Sequence, residues 1–187
     1  MNDPQPGCTI WFTGYPCSGK STVSKLAAKQ LSELGFRVEL LDGDELRTHF
    51  SAGLGFSKED RSAHLKRVSY LCHMLSKHGV IVLASFVSPY RENREFARKV
   101  VGDRFVEVFT DSPIESCMKR DVKGMYKKAL AGEIKQFTGV SDPYEPPLNP
   151  DLVLKTDEEA PAASVAKLLG LLRERYGFPI PIQGGSR

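Results

Sequence analysis

The chain has few cysteines for its length: Cys8, Cys17, Cys72 and Cys117 lie far apart in 187 residues, with no C-x-x-C pair. That scatter excludes a disulfide framework and a thiolate zinc site, and it suits a reducing cytoplasm. Long apolar runs are also missing. The longest, VIVLASFV at 80–87, falls far short of the roughly 20 residues that a spanning helix needs. The opening MNDPQPG has neither the basic nor the apolar part of a secretory signal, so export is not expected. Charge of one sign is not in excess: 26 Lys and Arg stand against 23 Asp and Glu. The resulting +3 is too small to point to nucleic acid. There is no internal repeat and no low-complexity tract. Neither a membrane nor nucleic acid is an expected partner.

The remainder reads as one ordinary globular domain over 1–187, with 41% hydrophobic and 26% charged residues. Short apolar runs at 8–13, 36–41, 80–86, 104–110 and 151–154 predict five strands. Between the first two, Val23, Leu26, Ala27, Gln30, Leu31 and Leu34 follow helical spacing, stopped by Gly35. Ser57 with Asp60 resembles a capping box, and Ser112-Pro113-Ile114-Glu115 offers a cap, an N1 proline and an N3 glutamate. Strands alternating with helices predict an α/β fold with a parallel sheet covered on both faces. The segment 121–150 breaks the rhythm with clustered lysine, glycine and proline, and reads as a mobile lid. Residues 178–187 read as an irregular tail.

GYPCSGKST, residues 14–22, contains G-x-x-x-x-G-K-S from Gly14 to Ser21, directly after a predicted strand and before a predicted helix. Backbone N–H groups of such a loop, with the helix N-terminus, offer partial positive charge to phosphate oxygens. Lys20 is expected to reach the β- and γ-phosphates of a nucleoside triphosphate, and the Ser21 hydroxyl to ligate Mg²⁺. Tyr15, Pro16, Cys17, Ser18, Gly19 and Thr22 complete the nucleotide contacts. Cys17 either fills a small-residue position or gives redox control. LDGDELR places Asp42 and Asp44 at the end of the second strand, where open parallel sheets put their ligands. Transfer to an alcohol needs a group for the hydroxyl proton and a metal to offset charge. Asp42 and Asp44 can divide those tasks, with Arg47 gripping an anionic acceptor. The alternative is a plain Asp-Gly-Asp turn feeding a helix cap.

With LGFSKEDR, SFVSPYR, RDVKGMYKKALAGEIKQFTGV and DPYEPP, these motifs follow the order seen in adenylyl-sulfate kinases. The chain resembles that family from about Thr9 to about Thr156. The resemblance implies a P-loop kinase fold, three layers α/β/α around a five-stranded parallel sheet, with a mobile lid. It implies transfer of the γ-phosphoryl of MgATP to the ribose 3′-hydroxyl of adenosine 5′-phosphosulfate, giving PAPS. Asp44 matches the catalytic carboxylate, and Asp42 supports the metal or its water, or the loop. Arg47, Arg61 and Lys123 match acceptor-binding residues, Arg120 a partner for the ATP base. Phe56 and Phe137 match aromatics that sandwich the acceptor adenine, or are core residues. Val87 and Ser88 belong to the acceptor loop, where Ser88 bonds the acceptor, orients the loop or caps a helix. His64 stands where the family usually has asparagine, so acceptor binding is either retuned or the acceptor differs. His49, His73 and His78 form no metal pattern and are expected at the surface. The family suggests a homodimer and a functional link to an ATP sulfurylase. A kinase for another nucleotide-linked molecule and a non-catalytic nucleotide sensor are the competing readings.

Overall fold

The computed structural model describes residues 5–181. Among them, five strands form one sheet: β1 (Cys8–Thr13), β2 (Val38–Asp42), β3 (Ile81–Ser85), β4 (Phe105–Thr110) and β5 (Leu152–Leu154). Their spatial order is β2-β3-β1-β4-β5 and every neighbouring pair is parallel. All five carboxyl ends therefore open on one edge. The helices are α1 (Lys20–Glu33), α2 (Gly43–His49), α3 (Lys58–Lys77), α4 (Arg91–Val101), α5 (Ile114–Arg120), α6 (Met125–Leu130) and α7 (Pro161–Tyr176).

The two-residue period of the strands builds the layers. Cys8, Ile10 and Phe12 of β1 share a cluster with Ile81 and Leu83 of β3 and Val106 and Val108 of β4. Trp11, Val82, Ala84 and Phe105 belong to the cluster on the other face. A parallel strand buried on both sides must be apolar on both. Helices α1 and α7 cover the first face with Val23, Ala27, Leu31, Val165, Leu168 and Leu172. Helices α3 and α4 cover the second with Leu65, Val68, Cys72, Ala97 and Val101. Burying each large side chain contributes about 1.5–3 kcal/mol. The α1 stripe is narrower than its sequence suggests, because Leu26 and Leu34 are exposed.

One charge breaks the apolar pattern of β4. Glu107 accepts from Arg94 Nε at 2.8 Å and from Arg98. Its own backbone N–H donates to Asp151 at 2.7 Å. This closed network fixes α4 to the sheet, which matters because α4 follows the loop that leaves β3 at the carboxyl edge.

Three local expectations change. Ser57 does cap α3, accepting from Asp60 N–H at 3.1 Å, but Ser112 does not cap α5. That helix starts at Ile114 with Pro113 at its N-cap. A residue before proline is held extended, and the buried Ser112 hydroxyl has no partner among the described residues. The lid contains more order than its composition suggests. Helix α6 lies inside it, and Tyr126, Ala129 and Phe137 form a small core with Cys117. Six residues are too few for a helical period to register in the sequence. The start of the tail is irregular, yet Phe178 and Ile180 are buried in the α1–α7 cluster. The remaining expected tail, 182–187, lies outside the described residues. None of the described helices is long and apolar enough to cross a membrane.

Candidate active site

The loop between β1 and α1 is shaped by close approach. Gly14 has φ +149°, and a Cβ there would sit 2.3 Å from Thr110 Oγ1, so only glycine passes. Cys17 (φ +61°) and Gly19 (φ +93°) are left-handed, turns from which backbone N–H groups can converge on an anion. Cys17 is half-buried against the lid core and its thiol is free, as befits a small filling residue. The buried Lys20 ammonium donates to Gly14 O at 3.0 Å, Tyr15 O at 2.6 Å and Ser18 Oγ at 3.3 Å. Burial pushes its pKa down to about 8. Two carbonyls and a hydroxyl compensate a buried ammonium only in part, and phosphate oxygens would add to it.

Residues from three other segments brace the loop. Arg120 donates to Cys17 O at 3.3 Å and Thr156 O at 2.8 Å. Thr156 Oγ1 donates to Ser18 O at 2.6 Å, and Tyr126 OH to Pro16 O at 3.1 Å. Ser21 and Thr22 are exposed in the first turn of α1. Ser21 Oγ donates to Asp42 Oδ2 at 3.4 Å and lies 3.5 Å from Ser85 Oγ. The other Asp42 oxygen caps α2, accepting from Asp44 N–H at 3.0 Å. Asp42 thus caps α2 with one oxygen, the plain role expected of this turn, and turns the other toward Ser21.

No group of three or more His, Cys, Asp or Glu gathers for a metal among the described residues. Ser21 and Asp42 bring one hydroxyl and one carboxylate to the sheet edge. This suits a hard cation that keeps water and substrate oxygens in its shell.

On the other side of Asp42, the exposed Asp44 forms an ion pair with Lys123 of the lid. One turn on, Arg47 donates to Gly55 O at 2.8 Å and its Cζ sits 4.5 Å from the Phe56 ring centroid. Arg61 Cζ lies 5.5 Å from the same ring. Arg61 also donates to Phe56 O at 2.8 Å and to Gln136 O at 2.5 Å. Burial, then the neighbouring Arg61, lowers the pKa of Arg47; burial also lowers that of Arg61, against an opposing pull from Asp142. Two cations share one exposed ring, and one of them, Arg61, has a carboxylate partner in Asp142 at 3.6 Å. Phe56 is 54% exposed, whereas Phe137 is 9% exposed and packs edge-on against Tyr126 at 5.0 Å. Phe56 and Phe137 thus occupy different surroundings, and Arg61 joins their backbone segments.

His64 is 2% exposed, with Nδ1 2.8 Å from Ser51 Oγ and its ring edge-on to Phe86 at 5.6 Å. Burial, with Arg47 and Arg67 nearby, pushes its pKa down to about 4. The imidazole is therefore neutral at physiological pH, as an asparagine amide is. His49 and His78 are exposed as expected, while His73 is half-buried. Ser88 is buried at φ +40° and accepts from Trp11 Nε1 at 3.1 Å. It does not cap α4, whose first N–H, from Arg91, is satisfied by Glu145 at 2.8 Å. Val87, half-buried, presents its carbonyl to Thr13 Oγ1 at 2.8 Å.

The residues that the sequence reading left unassigned are Thr110, Thr156 and Tyr144. Thr110 ends β4 and Thr156 follows β5 by two residues. Position at the carboxyl edge of a parallel sheet is the signal that could have found both. Tyr144 sits inside the DPYE stretch, with no strand or helix to place it.

A phosphate loop at the end of the central strand, with carboxylates at the end of β2 and arginines beyond them, defines a P-loop phosphotransferase. The model of one family, described as adenylylsulphate kinase, matches residues 6–155. The chain belongs to that family. It is 53% identical to the adenylyl-sulfate kinase of Gloeothece citriformis, over 93% of this chain and 98% of that one. The adenylyl-sulfate kinase of Halothermothrix orenii is 48% identical, over 95% of each chain. Among solved structures, the Mycobacterium tuberculosis APS kinase CysC in complex with AMPPNP and APS superposes with TM-score 0.87. It is 44% identical, covering 91% of this chain and 99% of its own.

Proposed function

We infer that this chain transfers the γ-phosphoryl of ATP to the ribose 3′-hydroxyl of adenosine 5′-phosphosulfate, giving PAPS and ADP. The observation that carries the reading is the convergence at one sheet edge. The Gly14–Ser21 loop, the Asp42–Asp44 turn and the Arg47–Phe56–Arg61 group all meet there. The loop amides and Lys20 hold the β- and γ-phosphates, and Lys20 exchanges its carbonyl acceptors for phosphate oxygens. Arg120, beside Thr156, faces the ATP base. Ser21 and Asp42 would hold Mg²⁺, which would offset charge on the phosphate oxygens. Asp44 takes or orients the 3′-hydroxyl proton, exchanging Lys123 for the acceptor. Arg47, Arg61 and Lys123 bind the phosphosulfate, whose oxygens add to the one carboxylate, Asp142, that already pairs with Arg61. Phe56 stacks on the adenine, with Phe137 closing the same subsite from the lid. Val87 and Ser88 shape the acceptor loop, and the Trp11 bond to Ser88 favours orientation over covalent chemistry.

The neutral, Ser51-bound His64 keeps an uncharged hydrogen-bonding group in place of asparagine, which supports the adenylyl-sulfate acceptor over a different one. The lid over 121–150 excludes water, because an open site would lose ATP to hydrolysis. The protein works in the cytoplasm, where its four free cysteines stay reduced. It acts as a homodimer downstream of an ATP sulfurylase that supplies the adenylyl sulfate.

A coupled ATP-consumption assay with and without adenylyl sulfate tests this. Consumption is expected to depend on the acceptor. Asp44→Asn should lower kcat by about 100- to 10,000-fold, the usual worth of a general base. Acceptor-independent consumption, full activity in Asp44→Asn, or strong preference for another nucleotide would refute it.

A further inference from the structure

Two hydrogen-bond chains meet at Thr13, the last residue of β1. The Thr13 hydroxyl has one proton, and its nearest carbonyl acceptor is Val87 O at 2.8 Å, with Ser88 O farther at 3.4 Å. The Tyr144 hydroxyl, 3.0 Å from Thr13 Oγ1, is therefore the donor to it. Burial pushes the Tyr144 phenol well above its usual range, so it keeps that proton. The first chain runs from Tyr144 to Thr13 to the acceptor loop.

The second begins at the backbone. Thr110 Oγ1 donates to Thr13 O at 3.0 Å, which uses its single proton. The Ser18 hydroxyl, 2.7 Å away, then donates to Thr110, and Lys20 donates to Ser18 Oγ at 3.3 Å. One residue thus contacts the acceptor loop through its hydroxyl and reaches the phosphate loop from its carbonyl by way of Thr110.

Tyr144 is itself firmly placed. Its ring lies 4.8 Å from Tyr15 and 6.2 Å from Phe109, with Arg94 Cζ at 5.7 Å. Two residues before it, Asp142 accepts from Tyr90 OH at 3.0 Å and pairs with Arg61 at 3.6 Å. One residue after it, Glu145 accepts from Arg91 N–H. The strap 142–145 therefore spans both sides of the site.

We propose that Thr13 and Tyr144 are positioning residues that hold the phosphate loop and the acceptor loop in register for transfer. This rests on the kinase reading above. Neither side chain touches a reacting atom in this scheme. In-line transfer needs the attacking oxygen within about 3–3.5 Å of phosphorus, and a slip of about 1 Å costs on the order of 100-fold in rate. Buried hydroxyls also need partners for stability alone, so the test must separate alignment from folding.

Thr13→Val, Tyr144→Phe, the double variant and Thr13→Ser are compared with wild type in the full-length chain. The measurements are kcat, both KM values, the Kd for AMPPNP and the thermal midpoint. Each single loss is expected to lower kcat by about 10- to 100-fold. Both KM values and the Kd for AMPPNP should stay within about threefold. The double variant should be no slower than the slower single, since both residues lie on one chain. Thr13→Ser, which retains the hydroxyl, should recover most of kcat. A lowered midpoint with wild-type kcat, a change confined to KM, or additive losses would each overturn the assignment. Should Thr13→Val not fold, Tyr144→Phe decides alone, and an unchanged kcat overturns it. Wild-type turnover that ignores adenylyl sulfate would instead refute the kinase reading.

Discussion

Raising the pH from about 7 to about 9 is expected to weaken binding of AMPPNP to this kinase about tenfold, through Lys20. The ordinary lysine value of 10.5 falls to about 8 here because the ammonium is buried. The nearby Asp42 and Asp44 carboxylates only partly compensate. Phosphate oxygens favour the charged form, so the bound complex holds the proton that the free protein is ready to lose. The apparent Kd then grows as one plus the ratio of neutral to charged Lys20. That factor is close to one at about pH 7 and about eleven at about pH 9. Folding stability should move the opposite way. The folded pKa lies below the unfolded one, so the unfolded chain binds more protons between about 8 and 10.5, and stability rises with pH across that window. The full difference is about 3 kcal/mol. Calorimetric titration across this range measures the first effect. Denaturant unfolding of wild type against Lys20→Met isolates the second from other titrating groups. A Cys17→Ser background removes the one thiol inside the loop. A Kd that is flat from about pH 7 to about pH 9, or equally pH-dependent in Lys20→Met, would refute the reasoning.

Glu107→Ala should cost about 3–5 kcal/mol in denaturant unfolding, because Arg94 would be left buried without its carboxylate partner. Thermal or urea melts showing a loss below about 1 kcal/mol would contradict the network described here. Arg61→Lys cannot bridge Phe56 O and Gln136 O as the guanidinium does. It should raise the KM for adenylyl sulfate at least about tenfold, with the AMPPNP Kd within about twofold, as initial-rate kinetics and titration would reveal.

Much of this enzyme was legible before any coordinates. Short apolar runs marked all five strands to within two residues; the central ones are continuous because a strand buried on both faces must be apolar on both. Ser57, Gly35 and the Gly14–Ser21 loop are local features whose chemistry is complete within a few residues. Asp42 and Asp44 were legible for the same reason, being adjacent to a strand end. The six residues of α6 and the failure of Ser112 to cap were not, since neither leaves a long enough pattern.

What tertiary structure decided is how distant segments share atoms. No pattern in the sequence joins Tyr144 to Thr13, 131 residues apart, or Arg120 to the phosphate loop, 103 residues apart. It does not separate the exposed Phe56 from the buried Phe137, nor make His64 neutral by enclosing it beside two arginines. The residue types and strand periods come from short-range chemistry, which a sequence carries openly. Burial, proton direction and pKa come from neighbours that only the folded chain brings within a few ångströms.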